Sequence, residues 1–485
     1  MKYASLILLI STLAHLQLFS QSVLGNDREL WEALSGTYED YRYSEISNRR
    51  FKHEDIIRRV SQLDASFNVA TVGASNGGRS LKLVSIGDGP INILLWSQMH
   101  GNEPTATMAL MDILNWLSAP HSKFESQKNE LLSKVTLHLL PMLNPDGAAR
   151  FRRRNEQDID INRDARRLQT PEGRTLKRVR DSLDADWGFN LHDQGRRTSV
   201  GQMPATLSFL APAFDFDRSV NEKRGDAMQL IAHMNQHLQL EIPNQVGRYW
   251  DEFEPRAFGD NIQKWGTRTI LIESGGQYGD REKQLIRKLN FLVLQLAFSS
   301  IANNEFENFS LDQYDEIPNN SRGMQDVILK NIQLPMTMGG YLTDIAITLE
   351  EVDNIGYDDH YLSARIVDVG DLSTSSAYIV HNMEGYTVKS ALQEKETIMS
   401  MDELKRKQAE LLRRGVAYVE VGEPDYFQSS ILLQINKQPI SELTLGANPS
   451  LLFFKNGELR FSLINGYLMD IRKSISDLIE EKKKM

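Results

Sequence analysis

From about residue 54 to 303 the chain alternates short, near-continuous apolar runs with amphipathic stretches, and this alternation limits the possible folds more than any other feature. Ile91 to Trp96 is one such apolar run, as expected of a strand covered on both faces. Val135 to Pro141, Trp187 to His192, Leu207 to Ala211 and Arg268 to Glu273 read as further strands. Helical periodicity fits 105–118, 172–184, 219–238 and 281–300, with Pro104 suited to the first position of the earliest of these. Strands taking turns with helices predict an α/β domain, a mixed and largely parallel sheet flanked by helices. After about residue 305 the texture changes to short β-rich runs between Gly, Asn and Asp turns, with a helical insertion near 400–414 and a charged helix at 468–484. The expected organisation is a signal segment over 1–25, the α/β domain over 26–305 and a β-rich accessory domain over 306–485, a sandwich or an open barrel.

The chain's 485 residues are 41% hydrophobic and 25% charged, enough apolar material for more than one buried core. A formal net charge of -10 argues against nucleic acid as a partner. Lys2 followed by the apolar stretch Leu6 to Phe19, with small residues at Ser20, Ser22 and Gly25, reads as a cleavable secretory signal. That stretch is shorter than the roughly 20 residues that span a bilayer. No other segment reads as long and apolar enough to cross one, so no stable membrane span is expected after cleavage. Cysteine is absent, which removes disulfides and every thiolate from the chemistry. Export without disulfides points to a secreted or periplasmic bacterial protein.

His100-Gly-Asn-Glu103 and Asn190-Leu-His192 offer two imidazoles and one carboxylate, the donor set of a catalytic zinc ion with an open fourth position. His100-x-x-Glu103 does not identify a site by itself, because His381-Asn-Met-Glu384 has the same spacing within the β-rich segment. What separates the two is the ordered series that follows the first. It runs through Asn144-Pro-Asp-Gly147, Arg153-Arg-Asn155, Asp160-Ile-Asn162-Arg163, Leu191-His192 and Ile272-Glu273, with Gly73-Ala-Ser-Asn-Gly-Gly-Arg79 ahead of it.

With that series, residues 70–280 resemble the zinc metallocarboxypeptidases of the carboxypeptidase A type. The resemblance implies that His100, Glu103 and His192 hold one Zn2+, whose charge acidifies water toward a pKa of about 7. It makes Glu273 the general base and then the acid, and Arg153 a stabiliser of the oxyanion. Arg152 and Arg154 compete with Arg153 for that place, which fits the Arg-x-Asn pattern best. Asn162 and Arg163 would grip the free carboxylate of a peptide C-terminus by charge-assisted hydrogen bonds. Tyr249 stands near the place of the family's mobile tyrosine, and Phe253 to Asn261 would shape the side-chain pocket. Within that segment Arg256 and Asp260 read as partners in an ion pair or as substrate contacts. One departure is Asn102, where digestive members carry an arginine before the glutamate ligand; several bacterial branches share the shorter His-Gly-x-Glu form.

The expected activity is zinc-dependent hydrolysis of C-terminal peptide bonds. A related zinc amidohydrolase acting on acyl-amino acids or cell-wall peptides is the alternative, and a non-catalytic peptide- or glycan-binding relative is a third. Asp326 to Asn331, Thr343 to Ile347 and Leu445 to Gly457 resemble the small β-sandwich beside the barrel of metal-dependent amidohydrolases, which would make the C-terminal domain an accessory module.

Overall fold

The computed structural model describes residues 27–336, 339–439 and 443–483, so the segment read as a secretory signal lies outside the described residues. These residues divide into two compact units, one of 27–200, 205–277 and 282–321, the other of 201–204, 278–281 and 322–483.

The first unit is built on an eight-stranded sheet. Its strands are β1 (Asn68–Ala74), β2 (Ser80–Ile86), β3 (Ile91–Ser97), β4 (Val135–Leu140), β5 (Trp187–Asp193), β6 (Leu207–Leu210), β7 (Val246–Arg248) and β8 (Arg268–Ser274). They lie in the order β1-β2-β4-β3-β5-β8-β6-β7. The central block β4-β3-β5-β8 is parallel, and antiparallel pairings with β2 and β6 flank it. This is the mixed, largely parallel α/β sheet expected from the alternation.

The apolar run of β3 has the expected cause. Ile93, Leu94, Leu95 and Trp96 are each 0% exposed because both faces of the strand are covered. Ile93 and Leu95 pack with the helices α1 (Thr105–Ser118), α3 (Glu222–Glu241) and α5 (Gln284–Asn303). Leu94 and Trp96 face the other way, onto α2 (Pro171–Leu183) and α4 (Phe258–Lys264). Period-two alternation of one strand thus feeds two helical layers, each fully buried side chain contributing about 1.5–3 kcal/mol. Contrary to the expectation that no later segment could cross a membrane, α5 is long and apolar enough to do so. Phe291, Leu292, Leu294 and Phe298 bury it in the core, and it serves as the central helix of that layer.

Asp112, in the middle of the apolar α1, is fully buried because its carboxylate pairs with Arg287 of α5, also fully buried. It also accepts hydrogen bonds from Tyr38 Oη (2.8 Å) and Tyr43 N (2.7 Å). These contacts anchor the segment before β1, whose Trp31, Tyr38, Tyr41 and Ile46 belong to the main core.

The boundary between units falls at 321/322, later than the 305/306 expected from texture. Phe306, Phe309, Tyr314 and Ile317 join the main core of the first unit, so the segment after α5 packs with the helices that precede it.

The second unit contains an eight-stranded sheet running 360–370, 342–353, 324–333, 387–390, 450–455, 458–464 and 467–470, with 376–382 pairing onto 324–333. A three-stranded parallel sheet (392–393, 416–419, 434–435) packs with the helix Met401–Arg413, which is the predicted insertion. The closing helix is Ile475–Lys483, shorter than the expected 468–484, because Tyr467–Asp470 is spent on the last strand.

Candidate active site

After β3 the chain passes to β4 on one side and returns to β5 on the other, and open α/β sheets generally bind their ligands beyond the carboxyl ends of the strands at such a reversal. His100 and Glu103 sit in the turn that follows β3, and His192 near the end of β5. Glu273, near the end of β8, is the direct register partner of His192. Leu191 and Ile272 belong to the main core, so alternation turns His192 and Glu273 together to the opposite face.

The turn needs glycine. A Cβ on Gly101 would lie 2.0 Å from the carbonyl carbon of Gly147, backbone against backbone. The same two loops are joined by Leu143 N–H to Ser97 O and Asn144 N–H to Gln98 O, both 3.0 Å. Asp146 then accepts from Ser75 Oγ (2.9 Å), Gly77 N (2.7 Å) and Arg79 Nη1 (2.7 Å). The glycine-rich approach and the Asn-Pro-Asp-Gly loop therefore form one braced support beneath the turn.

Three donor atoms converge at its top. Nδ1 of His100 lies 2.8 Å from Glu103 Oε1, Nδ1 of His192 lies 2.7 Å from Glu103 Oε2, and the two Nδ1 atoms are 3.1 Å apart. Each residue is buried, at 1%, 2% and 8% exposure for His100, His192 and Glu103. Nε2 of His100 is 3.0 Å from Asp160 Oδ1, and an Nε2–H donated to that carboxylate leaves a lone pair on Nδ1. Arg153 Nη1 donates to the same Nδ1 (3.1 Å) and to Glu103 Oε1 (3.2 Å). Two imidazole nitrogens and a carboxylate facing one another fit a divalent cation, and the nitrogen–oxygen set suits zinc.

Asp160, a residue of the motif to which sequence reasoning gave no role, therefore orients the His100 ring. It also holds Arg153 through Nε (3.0 Å) and Nη2 (2.9 Å). Arg154 instead donates to the backbone oxygen of Asp158. A second unanticipated group is the buried pair Lys283–Asp193 (2.9 Å), where Asp193 also accepts from Thr105 Oγ1 (2.6 Å). The Asp193 backbone N–H reaches Glu103 Oε2 (3.3 Å), so the pair supports the ligand turn.

The charges sort the carboxylates. Burial favours the neutral form of Glu103, but its electrostatic and hydrogen-bonding interactions with His100 and His192 outweigh it and hold the group below the usual carboxylate range. Glu273 goes the other way, raised well above that range by burial first and then by the charges of Glu103 and Asp193. Burial also lowers His192, which keeps its imidazole neutral as a metal ligand requires.

Arg163 pairs with Glu254 (3.3 Å) and donates to Asn162 O (2.7 Å). Asn162 accepts from Phe258 N (2.8 Å), so its side chain fixes the start of α4. Tyr249 lies within electrostatic reach of Glu273, Glu103, Arg153 and Arg163, and burial raises its hydroxyl above its ordinary value, which keeps it a neutral donor. Arg256 pairs with Glu254 (2.7 Å), while Asp260 accepts from Glu254 N (2.8 Å). His381, the second match to the ligand spacing, lies on the strand Ser376–Asn382 of the other unit.

Residues 53–200 match the family model described as zinc carboxypeptidase, a span that contains His100, Glu103, Arg153, Asn162, Arg163 and His192. Carboxypeptidase SOL1 of Arabidopsis thaliana is 29% identical over 117 residues, covering 23% of this chain and 23% of that protein. Probable carboxypeptidase 2 of Trichophyton verrucosum is 32% identical over 185 residues, covering 38% and 34%. Among solved structures, a metallo-carboxypeptidase from Burkholderia cenocepacia aligns with a TM-score of 0.42 at 15% identity, over 53% of this chain and 70% of that one. The chain spans about a quarter to a half of the length of the curated relatives it matches. Over residues 53–200, then, this chain is similar to the zinc carboxypeptidase family.

Proposed function

We propose that the chain is a zinc-dependent metallocarboxypeptidase that hydrolyses the last peptide bond of substrates with a free C-terminus. The observation that carries this reading is the convergence of His100, His192 and Glu103 with Glu273 next to them in register. His100, Glu103 and His192 would hold one Zn2+. Zinc, when bound there, supplies a Lewis acid that polarises the scissile carbonyl and acidifies water.

The chain's own groups account for the rest. Glu273, with its raised affinity for protons, takes one from the attacking water and returns it to the leaving amine. Arg153, held by Asp160, donates to the oxygen on which negative charge develops; losing one such donor costs about 3–4 kcal/mol of barrier. Arg163 receives the substrate's terminal carboxylate in exchange for Glu254, a carboxylate already on its guanidinium. Tyr249 donates its neutral hydroxyl to the bound peptide. The apolar stretch at 6–19 supports export, so the substrates would be met outside the cytoplasm. Paired peptides with a free and an amidated C-terminus test the assignment: only the free acids should be cleaved, and equal turnover of both would refute it in favour of an amidohydrolase.

A further inference from the structure

A second constellation of metal-ligating side chains lies in the first unit, built from Asp27, His233 and His237, whose potential ligand atoms all lie within 4.8 Å of one another. All three residues are buried, at 2%, 0% and 3% exposure. His233 and His237 are four residues apart on α3 and so share one face of it.

Their outward nitrogens are already committed. Nδ1 of His233 meets Ser300 Oγ (2.9 Å), and Nδ1 of His237 meets the backbone oxygen of His233 (3.3 Å). A carbonyl only accepts, so His237 carries its proton on Nδ1 and leaves the Nε2 lone pair unused. Nε2 of His233 lies 3.1 Å from Asp27 Oδ2, yet neither atom has a hydrogen-bond partner of acceptable direction among the described residues. Ser300 Oγ can accept from Nδ1–H of His233, and in that tautomer Nε2 presents a lone pair beside the Asp27 carboxylate. The ring of His233 is fixed by stacking on Phe309 (4.5 Å, 17°). Glu305 adds a second carboxyl group beside Asp27. A cavity of about 340 Å3 lined by Asp27, Leu30, Trp116, Lys134, Gln295 and Asn303 adjoins the cluster at Asp27.

We propose that Asp27, His233 Nε2 and His237 Nε2 form a second zinc site, with Glu305 beside it as a further oxygen donor. The hydrogen bonds on both Nδ1 atoms play the orienting role that partners of metal-bound histidines usually play. The ion would tie the segment before β1 to α3, and its role is structural, remote from the proposed chemistry.

Zinc counts on the full chain decide the matter. Wild-type protein should bind two equivalents; a His100→Ala/His192→Ala variant should keep one; Asp27→Asn should lose one while its peptidase activity stays unchanged. A double variant that binds none, or an Asp27→Asn chain that still binds two, overturns the proposal. One equivalent in both wild type and double variant supports this site and refutes the catalytic one, so the two readings fail separately. If a substitution unfolds the chain, zinc-edge anomalous diffraction from wild-type crystals answers instead. A peak within bonding reach of both Nε2 atoms supports the site, and its absence overturns it.

Discussion

Asp160 offers the sharpest test of how the proposed metal centre is built, because its carboxylate has separable functions. Oδ1 faces His100 Nε2 at 3.0 Å and also accepts from the backbone of Asn162 (2.9 Å), while Oδ2 takes Arg153 Nε at 3.0 Å. Asp160→Ala removes the acceptor that sets the His100 tautomer together with the partner of Arg153. Loss of such an orienting group typically weakens metal binding 10- to 100-fold, which is about 1.4–2.7 kcal/mol. Asp160→Asn keeps an oxygen opposite Nε2 but removes the charge, so its zinc affinity should fall between wild type and Ala. Its kcat should drop as far as that of Ala, because the amide no longer fixes the guanidinium. The assay is competition for zinc against a chelator of known affinity, with kcat measured at saturating metal. Zinc affinity of Asp160→Ala within about twofold of wild type would refute the argument.

Other outcomes follow from the same contacts. Asp112→Ala leaves the fully buried Arg287 without its carboxylate and should cost about 3–5 kcal/mol in urea unfolding, whereas an exposed-pair variant such as Glu32→Ala should change little. Asp260 is raised to about 7 by burial, above its unfolded value of about 3.9. The folded chain therefore binds that proton more tightly, so this contribution to stability is complete below about pH 4 and is lost as pH rises through 7. Asp260→Asn should flatten that decline, most visibly by thermal unfolding between about pH 4 and 7, and an unchanged pH profile would exclude Asp260 as its source. Glu254→Gln releases Arg163 from its ion pair and should lower KM for free-carboxylate peptides with kcat little altered; a raised KM would place Glu254 itself on the substrate.

The proposed ligands His100, Glu103 and His192 could be picked out of the sequence because they follow or end apolar strands, and the fold brings their side chains together. The roles of Asp160, Asp193 and Lys283 were not legible there, since they depend on contacts between segments far apart in the chain. For the same reason the sequence shows Asn162 and Arg163 only as a proposed substrate grip, while the fold adds two contacts, Asn162 with the start of α4 and Arg163 with Glu254. The strand β1 shows no apolar run because most of it is exposed or half-buried and Gly73 lies within it, and in β2 Lys82 and Ser85 break up the buried apolar residues. The unit boundary was misplaced because residues 306–317 look like loop, while their aromatic side chains fill the first core. His233 and His237 show only helical spacing in sequence, and Asp27 joins them through the fold alone.

Zinc content and turnover measured together on two variants test the central claim most directly. Glu273→Gln should retain the wild-type zinc count and lose about 100- to 10,000-fold in kcat on free-C-terminus peptides, and His192→Ala should lose one zinc equivalent together with activity. Full activity in Glu273→Gln, or undiminished zinc and turnover in His192→Ala, would contradict the account.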